Sequence, residues 1–410
     1  MGKVSAEFAI IGAGPAGSHL ASRLAAGGRE CLMFDPKGAW EKPCGGGVPT
    51  RAIREFAFLL ENSNYPHKLI DRITMISPIG RKVSLKLDRP FAIYSRKVLN
   101  GLVLDRALEA GAEFVRAGVT AFERVSDGWS ITTSDGREWR AKFLIGADGA
   151  ASFTRRRLVG IFPMRDLALA FGYNVAEEAE ELVRPGNGGL NGSPGPDTVV
   201  VRFPSDFTGY LWAFPRPGVM NFGVAAKLGE RSSDELRALL SGFVQDFYGG
   251  RMPDPARVTF FGAKIPTLDL AAWKDLRAVG DGWALVGDAA GFCDPITGEG
   301  IFYAFKSADL LADALLAGEE SESLDGNYDR SAALYERLWR ESFGRELEHA
   351  SYRLPQFYHG HFFGHVFTDA VVRLAKHHRG VRTVLINALI GEQSYVTLKR
   401  DLLRRAYQFF

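Results

Sequence analysis

Glu7-Phe8-Ala9-Ile10-Ile11, then Gly12-Ala13-Gly14-Pro15-Ala16-Gly17, then Glu30-Cys31-Leu32-Met33-Phe34-Asp35: these three runs decide the fold. The first ends in unbroken apolar residues and reads as a buried strand. Pro15 to Ala26, rich in Ala and Leu, reads as a helix, and Glu30 to Phe34 as a second strand. Gly12 permits the tight turn, Gly14 lets backbone approach a pyrophosphate, and Gly17 lets helix and strand pack closely, with Ala16 in the same turn. The helix start offers free N–H groups and the positive end of a dipole to phosphates. Asp35 follows the second strand, about 20 residues on, where a carboxylate accepts hydrogen bonds from a ribose. A lone glycine pattern is a weak signal. Between two strands, with a helix and an acid in place, it predicts a Rossmann-type dinucleotide domain.

Working outward, Lys42-Pro43-Cys44-Gly45-Gly46-Gly47-Val48-Pro49 is a loop in which three glycines bring backbone close to something or make a turn closed to other residues. Ile73 to Leu87 alternates and reads as short strands; Ser95 to Ala110 reads as a helix. Two Asp-Gly turns at 127–128 and 135–136 divide Val119 to Ile145 into a three-stranded meander. Residues 161–270 are β-rich, with a Gly/Pro-rich loop at 185–196 and a helix from Ser232 to Tyr248. A helix follows from Gly300 to Leu316, and from about 327 the chain reads helical with an aromatic insert.

The 410 residues suggest two or three units. A formal net charge of +2 gives nucleic-acid binding no support. Cys31, Cys44 and Cys293 lack a CxxC pair and read as reduced thiols. The N-terminus lacks the layout of a signal peptide, and no apolar run approaches the roughly 18 residues needed to span a bilayer. A cytoplasmic protein, or one peripheral at the inner membrane face, is expected.

Two further motifs distinguish FAD from NAD: Gly146-Ala147-Asp148-Gly149 after an apolar strand, and Gly287-Asp288-Ala289-Ala290-Gly291 followed by Asp294-Pro295 and Gly298-Glu299-Gly300-Ile301. In this pairing the chain resembles the p-hydroxybenzoate hydroxylase-like superfamily of FAD enzymes, which includes aromatic hydroxylases, flavin halogenases and geranylgeranyl reductases. The resemblance implies that Asp288 binds the ribityl chain, that Asp148 lies near the pyrophosphate and that Arg96 helps hold the FAD. It implies further contacts from Cys44, Gly45, Gly46, Gly287, Pro295, Gly298, Gly300 and Ile301, the last opening a helix aimed at the pyrimidine side of the flavin. It also implies an interrupted domain. The expected architecture is α/β: a Rossmann-type FAD-binding domain from 1–72, 97–160 and 270–330, an inserted β-rich substrate domain from 73–96 and 161–269, and a helical C-terminal region, 331–410.

Within that superfamily, Pro43-Cys44-Gly45-Gly46-Gly47 is similar to the Cys-Gly-Gly loop of the geranylgeranyl reductases, and Tyr210-Leu211-Trp212-Ala213-Phe214-Pro215 to their Tyr-x-Trp-x-Phe-Pro segment. The resemblance implies hydride transfer from reduced flavin to isolated C=C bonds of an isoprenoid or prenyl-lipid substrate, with NADPH, ferredoxin or another donor supplying electrons. An apolar tunnel suits such a chain, and Tyr210, Trp212 and Phe214 alternate as a strand places them on one face. Tyr210, Trp212 and Cys44 are the candidate catalytic residues. Cys44 is a proton donor or a substrate-positioning group, its thiol expected to stay protonated in apolar surroundings. The plainer readings are a small residue beside a glycine loop and an aromatic stripe in the core.

The competing enzyme reading is a flavin monooxygenase or halogenase, the latter needing a lysine; Lys82 and Lys86 neither support nor exclude it. A third is an electron-transfer flavoprotein without a deep apolar tunnel. Residues 351–410 carry nine Lys/Arg against three Asp/Glu, with Phe357, Tyr358, Phe362, Phe363, Tyr407, Phe409 and Phe410. That suits an anionic membrane surface or, equally, a helical lid. His359, His361 and His365 lack an accompanying Glu in the HExxH pattern, and no metal is expected.

Overall fold

The computed structural model describes residues 4–176, 197–318, 328–362 and 365–407. The Gly/Pro-rich stretch 185–196 and Phe363, Phe409 and Phe410 lie outside them.

The first sheet is built on β1 (Val4–Ile11), whose Phe8, Ala9 and Ile10 are fully buried. It pairs in parallel with β2 (Cys31–Phe34) on one side and with the strand Glu138–Gly146 on the other. Parallel order needs crossover helices, and a strand covered on both faces is apolar throughout. That is why Phe8 to Ile11 shows no polar alternation. The helix α1 runs Pro15–Ala26, with Pro15 at its first turn, and packs against two others, Arg96–Glu109 and Ile301–Leu316.

The second sheet takes β3 (Gly47–Val48), β4 (His67–Ile76) and β5 (Lys82–Tyr94) from the first half of the chain. The first sheet then gains β6 (Glu113–Val115) and the meander β7 (Val119–Val125), β8 (Gly128–Thr133) and β9 (Glu138–Gly146). The second sheet resumes with β10 (Leu167–Ala176), β11 (Thr198–Arg202), β12 (Gly209–Arg216), β13 (Val219–Lys227) and β14 (Val258–Pro266), in the order β14-β10-β13-β12-β11-β4-β5-β3. Two short strands, β15 (Val279–Gly280) and β16 (Trp283–Leu285), close the first sheet at β9. The meander follows its Asp-Gly turns. The stretch read as short strands at 73–87 is instead part of one long hairpin beginning at His67, with a register shift between Ile70 and Arg72. Long cross-strand pairing over a packed face extends these strands beyond what alternation alone marks.

The helix α2 (Arg96–Glu109) is capped by Ser95, whose Oγ accepts the Val98 N–H. The helix α3 (Ser233–Phe247) opens on a capping box of Ser232 and Glu235. It covers one face of the second sheet, packing Leu236, Leu240 and Phe243 on Val200, Leu211 and Phe222. The other face, including Ile73, Met75, Val199 and Val201, turns toward the C-terminal helices. Alternate residues of β11 and β12 thus serve two different cores, as period-2 strands require. After α4 (Ile301–Leu316) and α5 (Asp329–Trp339) come α6 (Arg345–His359), α7 (Phe367–His377), α8 (Arg379–Leu389) and α9 (Leu398–Tyr407). Leu354, Val372, Val381 and Leu385 from this series complete the core over the second sheet. No described helix is long and apolar enough to cross a membrane.

Candidate active site

One cavity of about 1320 Å³ joins the two sheets and the C-terminal helices. At one end are Gly12, Gly14, Ala16 and Asp35, with Asp148, Asp288, Gly298, Gly300 and Ile301. Gly12 has a φ of +105° and packs on the Ala147 backbone, so no side chain is tolerated there. Beside Gly14 the space is open for 4 Å, as close backbone approach to a ligand requires. Asp35 accepts the Ala13 N–H on one oxygen and those of Lys37 and Gly38 on the other, which fixes the carboxylate at the cavity wall. Asp148 accepts from Ser152 Oγ and from Thr154 N and Oγ1, so it shapes the wall through its neighbours. Asp288 pairs with Lys42 Nζ at 3.2 Å.

Three predicted contacts stand off this wall. Gly17 packs on the Gly12 carbonyl, and Gly287 is packed against Ala16 and Ala304 with its N–H held by Ser307 Oγ. Pro295 faces a separate small cavity of about 20 Å³. Gly17 and Gly287 serve packing behind the cradle, and Pro295 turns away from it.

The middle of the cavity is formed by Cys44, Gly45, Gly46, Arg96, Tyr210, Trp212 and Phe214. The rings alternate along β12 on one face, with centroids 5.8 Å apart for Tyr210 and Trp212 and 6.2 Å for Trp212 and Phe214. Trp212 donates its indole N–H to Asn221 at 2.7 Å, which satisfies a buried donor. The Tyr210 hydroxyl is committed to the Thr297 carbonyl, and burial pushes the phenol up.

Cys44 requires a correction. Its surroundings are cationic as well as apolar. Burial pushes the thiol up, but Arg96, the Gly46 N–H at 3.3 Å and Arg216 outweigh it, and the thiol lies below its ordinary value. Its thiol is therefore more acidic than an ordinary cysteine, not the unperturbed thiol of a purely apolar niche. Arg216, almost fully buried, donates to the Cys44 and Gly45 carbonyls and pairs with Glu41 at 2.8 Å. Glu41 in turn accepts the Ser95 hydroxyl and the N–H groups of Arg96 and Lys97. Sequence reading missed Glu41, Lys42 and Arg216; Glu41 and Lys42 were adjacent to the glycine loop, but their partners lie 175 and 246 residues away.

At the far end the cavity is apolar, with Ile73, Met75 and Val201 below and Val381, Leu385 and Leu402 above. The C-terminal helices therefore form a roof. His359 is bonded to Thr208 Oγ1 at 2.9 Å. Lys82 and Lys86 do not line the cavity.

The cradle fits FAD. Arg96 lines the cavity, is buried and bonds Asn100, yet its Nε has no partner among the described residues, a cation not fully satisfied by the protein itself. The open side of Gly14 and the ordered carboxylate of Asp35 agree.

Comparison with known proteins converges on the same group. The family described as FAD binding domain matches residues 5–166. A geranylgeranyl diphosphate reductase of Rhodobacter capsulatus is 32% identical over 320 residues, covering 75% of this chain and 74% of that protein. A digeranylgeranylglycerophospholipid reductase of Methanothermobacter thermautotrophicus is 28% identical over 357 residues, covering 83% and 84%. In structure, a geranylgeranyl bacteriochlorophyll reductase-like protein from Thermoplasma acidophilum superposes with a TM-score of 0.77 at 21% identity, over 98% of this chain and 100% of that one. Fold and cradle together define an FAD-dependent oxidoreductase. Within that class, the chain belongs to the geranylgeranyl reductase family.

Proposed function

We propose that the chain hydrogenates isolated C=C bonds in a geranylgeranyl-type isoprenoid chain. The observation that carries this is the continuity of the cavity: one space is lined by the flavin cradle, the aromatic face of β12 and an apolar extension under the C-terminal roof. A pure electron carrier has no use for that extension. The segments named above as FAD-binding would form the cradle, and 73–96 with 161–269 the floor of the substrate channel.

Bound FAD, once reduced, supplies the hydride. The chain's own residues do the rest. Gly12, Gly14 and the start of α1 would hold the pyrophosphate, Asp35 the ribose, and Arg96 a further acceptor of the cofactor. Tyr210, Trp212 and Phe214 press a flexible alkene into a fixed pose; placing a reactant in this way contributes much of the rate in such reactions. The roof excludes water. The electrons come from an external donor, NADPH or ferredoxin. Lys376, Arg379 and Arg382 are exposed on the roof, as are Tyr352, Val396 and Leu403, which supports delivery of a lipid substrate from an anionic inner membrane face.

The test is anaerobic. The holoenzyme is reduced, a geranylgeranyl substrate is added, and flavin absorbance and product mass are followed. Reoxidation with a gain of hydrogen pairs is expected. A flavin that stays reduced until oxygen is admitted, with oxygen then found in the product, would establish a monooxygenase instead.

A further inference from the structure

Resting on the reductase reading, we propose that Glu299 is the acid that delivers the proton to the alkene. Saturating an isolated C=C bond needs one hydride and one proton. The π pair forms the new C–H bond with the proton and leaves the more substituted carbon electron-deficient. That carbon takes the hydride, whose two electrons come from the reduced flavin, which is oxidised. Glu299 is left as a carboxylate and recovers its proton from solvent. The faces of Trp212 and Phe214 suit the developing positive charge.

The choice rests on which acids reach the cavity with a proton to give. Cys44 has its sulfur engaged by the Gly46 N–H at 3.3 Å and by Arg96. Tyr210 has its hydroxyl engaged by Thr297. Asp294 is engaged on both oxygens, by the N–H groups of Ile296 and Thr297 and by the Tyr395 hydroxyl. Glu346 accepts from Ser394 and Tyr395, and Glu55 and Glu392 pair with cations. Asp288 pairs with Lys42. Glu299 lines the cavity between Gly298 and Gly300 and is held only by backbone, the Phe302 N–H at 2.7 Å and that of Ile301. No cation pairs with it among the described residues. The preceding Gly298 lies against the Tyr210 hydroxyl, and Glu299 is among the acids whose charge bears on that phenol.

The groups around Glu299 are Asp294, Cys293, Tyr303 and Tyr210, with Arg51 as the nearby cation. Burial, reinforced by Asp294, pushes its carboxyl up to about 8 against the pull of the backbone N–H groups and Arg51. It is therefore mostly neutral at pH 7, as a general acid must be. Tyr303 also reaches the cavity, but burial holds its phenol well above its ordinary value, making it the weaker acid.

The test uses holoenzyme and Glu299→Gln, in single turnovers of pre-reduced protein with a geranylgeranyl substrate. The wild-type rate should fall about tenfold per pH unit above its midpoint near 8. In the variant the rate should drop roughly 10²–10⁴-fold and lose that limb, while Glu299→Asp recovers part of it. Independently of turnover, the infrared difference between wild type and Glu299→Gln at pH 7 should contain the C=O stretch of a neutral carboxylic acid. A carboxylate band there, or a variant with wild-type rate and pH profile, overturns the assignment. If Glu299→Gln fails to hold flavin, a wild-type rate that stays level above pH 8 overturns it equally. Wild-type enzyme that does not reduce the alkene at all refutes the reductase reading, and the infrared result is unaffected.

Discussion

At the scale of single residues, Cys44 shows how charge overrides local composition. Three glycines and nearby aromatics imply an apolar niche, yet Arg96 and Arg216 arrive from α2 and β12 to stabilise a thiolate. Burial pushes Cys31 up to about 12 and Cys293 well above its ordinary value, so the three thiols should differ sharply in reactivity. In flavin-loaded protein, iodoacetamide should modify Cys44 alone, and the rate should level off below the ordinary thiol midpoint of about 8.5. Arg96→Gln should move that midpoint up by about one unit. Peptide mass spectrometry across a pH series checks both. A Cys44 that reacts no faster than Cys31 would contradict the arrangement.

At the scale of elements, the site depends on contacts that tie one segment to another. Glu41 caps α2 and pairs with Arg216, so Glu41→Ala should cost about 1–2 kcal/mol in urea unfolding, the lower end because Glu41 is partly exposed. Its carboxyl lies below the ordinary value: burial pushes it up, but the Ser95, Lys97 and Arg96 hydrogen bonds and Arg216 outweigh that. The sign follows. Its contribution is full above the ordinary carboxylate range and is lost as pH falls through the depressed value, so the gap between wild type and variant should close in acid. The loop Asp294–Gly298 is held by three phenols from three elements: Tyr210 on Thr297 O, Tyr358 on Ile296 O at 2.7 Å and Tyr395 on Asp294 at 2.7 Å. Tyr395→Phe keeps the ring and removes one bond worth about 1–2 kcal/mol, so FAD should bind roughly tenfold more weakly, read from the fluorescence of released flavin. These ties explain what the sequence disclosed. The glycine turn, the strands around it and the aromatic alternation of β12 are local patterns and were legible, as were the helices α1 and α2. The partners of Glu41, Lys42 and Tyr395 were not, because they come from across the chain and nothing in local spacing marks them. Gly17, Gly287 and Pro295 belong to the motifs that make the cradle, but motif membership does not reveal which residues face the ligand.

At the scale of the whole molecule, the catalytic space is made by parts that share little sequence neighbourhood. The first sheet provides the cradle, the second the floor, and α7, α8 and α9 the roof. The basic, aromatic tail was open to two readings, a membrane contact and a lid. Its helices α7 and α8 pack over Ile73, Met75 and Val201, as a lid would, while Lys376, Arg379 and Arg382 are exposed. This division makes cofactor and chain binding separable. Val201 is nearly buried on β11, away from the Gly12–Gly17 turn, and its side chain faces the apolar extension. Val201→Trp should fill part of that extension while leaving the cradle untouched. The FAD spectrum and flavin affinity should stay as in wild type. KM for a geranylgeranyl substrate should rise at least about tenfold, since a misfit of a few methylenes forfeits roughly 1–3 kcal/mol, whereas a shorter geranyl chain should be affected less. Steady-state rates with the two chain lengths decide the matter: equal losses on both would mean that Val201 shapes the approach to the flavin, while a loss confined to the long chain would place the distal part of the isoprenoid beneath the roof.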